Sequence, residues 1–227
     1  MLFGKRMWAC MTVKAILFDL DGTLLDTLDD LADSVNHMLE TYGYPPRSRD
    51  FVRRAVGNGV RKLIVRSLPD GEDAARVDEC LAAFRAHYSK NLDNKTKPYP
   101  GVLDMLRALK EEGIAAAVVS NKYDGAVVAL CRKHFGDLIP VAIGERPEFH
   151  RKPAPDSALE ALRLLHAVPE TSVYVGDSDV DVETARNAGL KCVAVSWGFR
   201  PRESLVAAGA DSVADEASAL LDAARAL

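Results

Sequence analysis

Six short apolar runs, separated by helical patterns, limit the fold of this chain more than any other feature. They are KAILF (14–18), IAAAVV (114–119), PVAIG (140–144), SVYVG (172–176), KCVAVS (191–196) and, more weakly, DSVAD (211–215). A strand with one face in water alternates apolar and polar residues, and these runs do not. Unbroken Val, Ile, Leu and Ala are what a parallel strand shows when helices cover both faces of its sheet. Helical patterns over 101–113, 123–135, 155–166, 180–189 and 216–226 fall between the runs, with Pro155 suited to a first helical turn and Gly113 and Gly189 to helix ends. The order predicts an α/β fold with a doubly wound, Rossmann-like parallel sheet.

One stretch breaks the alternation. Between 25 and 93 no strand pattern occurs, and Leu28, Leu31, Val35, Met38, Leu39 and Tyr42 recur at helical spacing. Further helices are expected over 48–55, 58–67 and 72–91, with turns at YGYPP and LPDGED. The chain is therefore read as core (1–24), an inserted all-helical cap (25–93) and the remainder of the core (94–227). Residues 1–10 are set apart as a candidate N-terminal extension, because the first strand begins just after Met11.

Composition narrows the classes of function. A net charge of −4 with no block of lysine or arginine leaves no electrostatic footprint for nucleic acid, so any anionic ligand must be captured by local groups. The longest apolar run, Ile114 to Val119, is far too short to cross a membrane. The opening MLFGKRMWAC lacks the apolar segment of a signal peptide. Cys10, Cys80, Cys131 and Cys192 lie far apart, without metal-ligand spacing. These features predict a cytoplasmic protein with reduced thiols; a monomer or homodimer is expected.

In open α/β sheets, ligands bind beyond the carboxyl ends of the strands. Asp19 follows the first run, Ser120 and Asn121 follow the second, and Asp177 and Ser178 follow SVYVG. Any one of these could simply cap a helix. Three together predict a shared polar rim. Asp21 lies two residues beyond Asp19 and Asp181 four beyond Asp177, so up to four carboxylates would crowd one volume. Like charges at that range cannot all ionise without a counter-charge. An all-oxygen set without His or Cys favours Mg²⁺, and Lys152 could add a second positive charge.

These residues form a pattern that resembles the haloacid dehalogenase-type superfamily: DLDGT at 19–23, Ser120 at a strand end, Lys152 ahead of a helix, and GDSDVD at 176–181. The helical insertion after the first motif resembles one type of cap in that superfamily. The resemblance implies that Asp19 is a nucleophile forming an aspartyl-phosphate and Asp21 a general acid and base. It further implies that Ser120 binds a phosphoryl oxygen and that Lys152 balances charge. Mg²⁺ would be held by Asp19, the Asp21 backbone carbonyl, Asp177 and Asp181. A carboxylate at 21 favours phosphoryl transfer, since carbon–halogen cleavage expels no alkoxide that needs a proton.

The implied substrate is a small phosphorylated metabolite. DTLDDLADSVNHMLETYGYPP, RRAVGNGVRKLI, SNK and KPAPD resemble stretches of phosphoglycolate phosphatases, making 2-phosphoglycolate the leading candidate. Asn121 and Lys122 on the rim, and Asn58 and Arg61 in the cap, are candidate substrate-binding residues; Asn58 could equally serve the turn that opens a helix, and Arg61 a solvated face. Trp197 and Arg200 read as packing residues. The alternatives are a phosphosugar mutase of the β-phosphoglucomutase kind, a pyrophosphatase or nucleotidase on the same core, and a binding protein that has kept the fold without the activity.

Overall fold

A computed structural model describes residues 12–57 and 59–227. The stretch 1–10, Met11 and Asn58 lie outside the described residues. Six parallel strands form the main sheet: β1 (Ala15–Phe18), β4 (Ala115–Tyr123), β5 (Val141–Glu145), β6 (Ser172–Gly176), β7 (Lys191–Val195) and β8 (Ser212–Ala214). The intervening β2 (Leu25–Asp26) and β3 (Lys97–Pro98) pair with each other instead, antiparallel. The sheet order is β5-β4-β1-β6-β7-β8, with β1 between β4 and β6. All six apolar runs are therefore strands, and the first lies at the centre.

The two faces of the sheet have separate cores, as the period of two requires. Ile16, Phe18, Val118, Val173 and Val175 pack on one face with Val102, Leu106 and Leu109 of α5 (Val102–Glu111) and Val127 and Leu130 of α6 (Asp124–His134). Leu17, Ala117, Val119 and Tyr174 pack on the other with Ala158, Ala161 and Leu162 of α7 (Asp156–Leu164) and Val182 and Ala185 of α8 (Asp179–Asn187). Ile16, Leu17 and Phe18 are completely buried. Full burial of side chains this size stabilises the fold by roughly 1.5–3 kcal/mol each.

The inserted segment forms α1 (Leu28–Thr41), α2 (Arg49–Ala55), α3 (Val60–Ser67) and α4 (Ala74–Asn91). Its core joins Leu28, Leu31, Val35, Met38 and Leu39 of α1 to Val77, Cys80, Leu81, Phe84 and Tyr88 of α4. Phe199, from the segment after β7, is buried in the same cluster. Arg200 beside it donates to the carbonyls of Arg53 (3.0 Å) and Val56 at the end of α2, where the helix dipole favours a cation. Two chain crossings connect cap and core. Asp30, buried in the first turn of α1, accepts from the backbone N–H of Lys95 (3.0 Å), and from the N–H and hydroxyl of Thr96 (2.9 and 2.8 Å). One carboxylate thus binds the outgoing crossing to the returning one.

Three elements differ from the sequence reading. The β2–β3 ribbon is too short to carry a periodic signal. A helix, α9 (Arg202–Ala208), occupies a stretch to which the sequence reading assigns no element; only Leu205 in it is buried, so it carries almost no apolar stripe. The expected helix at 216–226 is a 3-10 turn at Ala217–Ala219 followed by α10 (Leu220–Arg225).

Candidate active site

Asp19 is the first residue beyond β1 and stays in the frame of the sheet, its N–H bonded to the Val175 carbonyl of β6 (2.8 Å). The chain then turns sharply, with the Leu20 carbonyl accepting from the N–H groups of Thr23, Leu24 and Leu25. Gly22 makes that turn at φ +90°, and a Cβ there would lie 2.4 Å from Asp177 Oδ2. Glycine is required twice over, for conformation and for space.

Asp177 follows β6, and α8 begins at once. Ser178 and Asp181 form a capping box: the Ser178 hydroxyl accepts from the Asp181 N–H, and Asp181 Oδ2 accepts from the Ser178 N–H at 3.1 Å. Asp181 is thereby held against the end of β6. Gly176 admits it, since a Cβ at 176 would come within 2.3 Å of the Asp181 side chain.

Lys152 closes the cluster. Its ammonium donates to Asp19 Oδ1 (2.8 Å), Asp181 Oδ1 (2.7 Å) and the Tyr174 hydroxyl (3.0 Å), and its side chain is only 3% exposed. Burial disfavours that ammonium, but Asp181 and Asp19 more than offset it, so its pKa stands well above the usual lysine value. Burial pushes Asp19 up to about 6, against the opposing pull of Lys152. Asp177 is pushed well above the ordinary carboxylate range, by burial first and then by Asp181 and Asp19. The partners of Asp177 are neutral: the Phe199 N–H (2.6 Å) and the Thr23 hydroxyl (3.4 Å).

One ammonium thus faces three buried carboxylates, those of Asp19, Asp177 and Asp181, each offering an oxygen within 4.8 Å of the others. The charge deficit and the oxygen-only donor set fit a hard divalent cation. Both Asp181 oxygens already have partners, in Lys152 and Ser178, whereas Asp177 meets only neutral donors.

The remaining rim residues have distinct places. Ser120 is buried at the end of the apolar part of β4, its Oγ accepting from the Lys122 N–H at 3.3 Å. Asn121 clasps the backbone of Lys152 in both directions, donating to its carbonyl (3.1 Å) and accepting from its N–H (2.9 Å). Lys122 spans Asp21, at 2.8 and 3.1 Å from its two oxygens, and the Tyr88 hydroxyl of α4. Burial raises the Tyr88 phenol to about 12, so it meets Lys122 as a neutral hydroxyl. Arg61 lies apart from these groups, paired with Asp78 on the cap surface.

All these rim groups except Arg61 line one cleft of about 870 Å³ between cap and core, together with Tyr88, Phe199 and Arg200. Tyr174, Tyr88 and Phe199 were not singled out in the sequence. Tyr174 had a signal: a phenol inside an otherwise aliphatic buried strand needs a polar partner. Trp197 is a packing residue as read, its indole N–H donating to the Thr23 carbonyl (3.0 Å). Arg200 does more, since it reaches the cap.

Known proteins resemble this chain in sequence and fold. The model for haloacid dehalogenase-like hydrolases matches residues 16–195, from β1 to the end of β7. A phosphoglycolate phosphatase of Pseudomonas putida is 36% identical over 214 residues, covering 92% of this chain and 78% of its own. One from Aquifex aeolicus is 37% identical over 191 residues, covering 82% and 86%. A solved structure from Lactobacillus delbrueckii subsp. bulgaricus, described as that of a candidate phosphoglycolate phosphatase, superposes with a TM-score of 0.90 at 33% identity, covering 94% of this chain and 98% of that one. With Asp19 directly after its central strand and the matched segment running through every residue of the buried charge cluster, this chain belongs to the haloacid dehalogenase-like hydrolase family.

Proposed function

We propose that the protein is a Mg²⁺-dependent phosphatase that hydrolyses a small alkyl phosphate monoester, with 2-phosphoglycolate the leading candidate, through an aspartyl-phosphate on Asp19. The observation that carries this reading is the buried cluster in which Lys152 meets Asp19 and Asp181 at the end of the central strand, with Asp177 alongside. Relatives named phosphoglycolate phosphatase support the substrate class.

The chemistry follows from the placement of each group. Asp19 attacks phosphorus, and the electron pair of the breaking P–O bond passes to the ester oxygen. Asp21 gives that oxygen its proton and then takes one from the water that hydrolyses the intermediate. Lys152 balances the charge of Asp19 and of the transferring group, and Ser120 donates to a phosphoryl oxygen. Asn121 fixes the Lys152 backbone, so its part is to position. Mg²⁺ would be held by Asp19, the Asp21 carbonyl and Asp177, with Asp181 beside them. When bound it would neutralise the phosphoryl oxygens. Lys122 has its ammonium taken up by Asp21 and the Tyr88 hydroxyl.

The test is phosphate release from a panel of phosphate esters, with Mg²⁺ and with EDTA. Turnover of 2-phosphoglycolate that stops with EDTA and returns with Mg²⁺ is expected. Metal-independent turnover, or isomerised sugar phosphate without free phosphate, would overturn the reading.

A further inference from the structure

Lys122 is a rim cation whose partners come from both halves of the cleft. Its ammonium lies 2.8 and 3.1 Å from the Asp21 oxygens on the core side, and donates to the Tyr88 hydroxyl on the cap side. The ammonium also lies 4.7 Å from the centre of the Tyr88 ring. Tyr88 is held by the cap: its ring stacks on Phe84 with centroids 5.3 Å apart, and both belong to the buried core of α1 and α4. The Lys122 side chain is 6% exposed and that of Asp21 15%, so this ion pair is shielded from solvent while the cap is seated. Moving α4 away would strip Lys122 of its phenolic partner and open the pair to water. At that point Lys122 would lose a fixed direction, and Asp21 with it.

We propose that Tyr88 is a positioning residue that acts through Lys122 to aim Asp21 at the leaving oxygen, so that proton transfer is efficient only while the cap is closed. The proposal rests on the phosphatase reading above and adds a cap residue to its machinery. In the first half-reaction the P–O ester bond breaks toward oxygen, the Asp21 proton moves to that oxygen, and Asp21 is left as a carboxylate. As the proton leaves, negative charge develops on Asp21 beside the Lys122 ammonium, which lies 2.8 and 3.1 Å from its oxygens, and their attraction grows toward the transition state. In the second half-reaction water attacks the aspartyl-phosphate and its proton returns to Asp21, which restores the acid for the next turnover. A seated cap would thus favour proton donation when solvent is excluded and an alkoxide most needs the proton.

Leaving-group chemistry separates this role from a structural one. An alkyl ester such as 2-phosphoglycolate expels a strongly basic alkoxide and depends on the acid. p-Nitrophenyl phosphate expels a weakly basic phenolate and needs little help. The value of kcat/KM reports the first half-reaction alone. Tyr88→Phe keeps the ring, its stacking and its contact with the ammonium, and removes only the hydroxyl. It should lower kcat/KM for 2-phosphoglycolate by about tenfold, a fraction of a full general-acid contribution, and leave that for p-nitrophenyl phosphate within about twofold. Lys122→Met should show the same selectivity more strongly. In the Lys122→Met background, Tyr88→Phe should have no further effect, because its path to Asp21 is gone. Equal losses on both esters, no loss on either, or additive effects in the double variant would overturn the proposal. A wild-type protein inert towards both esters would instead refute the phosphatase reading, so the two failures are separable.

Discussion

Removing the Lys152 ammonium is the sharpest perturbation the site offers. Lys152→Met preserves the aliphatic stem and deletes the one group that meets Asp19, Asp181 and Tyr174 together. The side chain is almost wholly enclosed, so water cannot take its place. Breaking a buried ion pair from one side typically costs about 3–5 kcal/mol. In a chain of this length each kcal/mol moves the melting temperature by roughly 2–4 °C, so a loss of about 6–20 °C is expected at pH 7.5 in EDTA. The pH dependence follows from the carboxylates left behind. Asp19 already stands raised to about 6, and without Lys152 it must rise further. A group whose folded pKa exceeds its unfolded one makes the folded state bind more protons, so stability is regained as pH falls through the folded value. The deficit of the variant should therefore shrink between pH 7.5 and 5.5. Thermal unfolding followed by circular dichroism at both values, against the wild type, measures it. An unchanged melting temperature at pH 7.5, or a deficit that does not depend on pH, would refute the account of the cluster as net-negative and balanced by Lys152.

Three further perturbations follow from the geometry. Gly22→Ala places a Cβ 2.4 Å from Asp177 Oδ2 at φ +90°; overpacking of this kind costs about 1–3 kcal/mol, and a raised Mg²⁺ requirement in phosphate release should accompany it. Asp30→Ala removes the acceptor for the Lys95 and Thr96 N–H groups and the Thr96 hydroxyl; a loss of about 1–3 kcal/mol per stranded buried donor should appear in urea unfolding, with hydrogen exchange quickened first at 92–98. Arg200→Ala releases the end of α2 and should speed exchange in 49–57 while leaving the sheet protected.

The legibility of the sequence divides along a physical line. Asp19, Ser120 and Asp177 were legible because a buried parallel strand that stops at a polar residue delivers that residue to one edge, whatever the loops do. Lys152 was legible through its motif, yet nothing local showed that Asn121 would grip its backbone; a bond across 31 residues has no sequence period. Tyr88 recurs on α4 like any apolar residue, and its contact with Lys122 depends on how the cap sits over the core. Arg61 occupies a plausible helix face but turns to Asp78 instead of the cleft. Phe199 and Arg200 carry no periodic signal at all, although they are the core's grip on the cap. What the sequence conveys is what each element delivers by itself; what it withholds is the meeting of two elements.

The central claim is that Asp19 itself carries the phosphoryl group. Acid quenching during steady turnover of 2-phosphoglycolate, followed by borohydride reduction and peptide mass spectrometry, tests it directly, because reduction of an acyl phosphate converts the aspartate to homoserine. The account predicts homoserine at position 19 and at no other aspartate. Its appearance at another carboxylate, or its absence during turnover, would contradict the account.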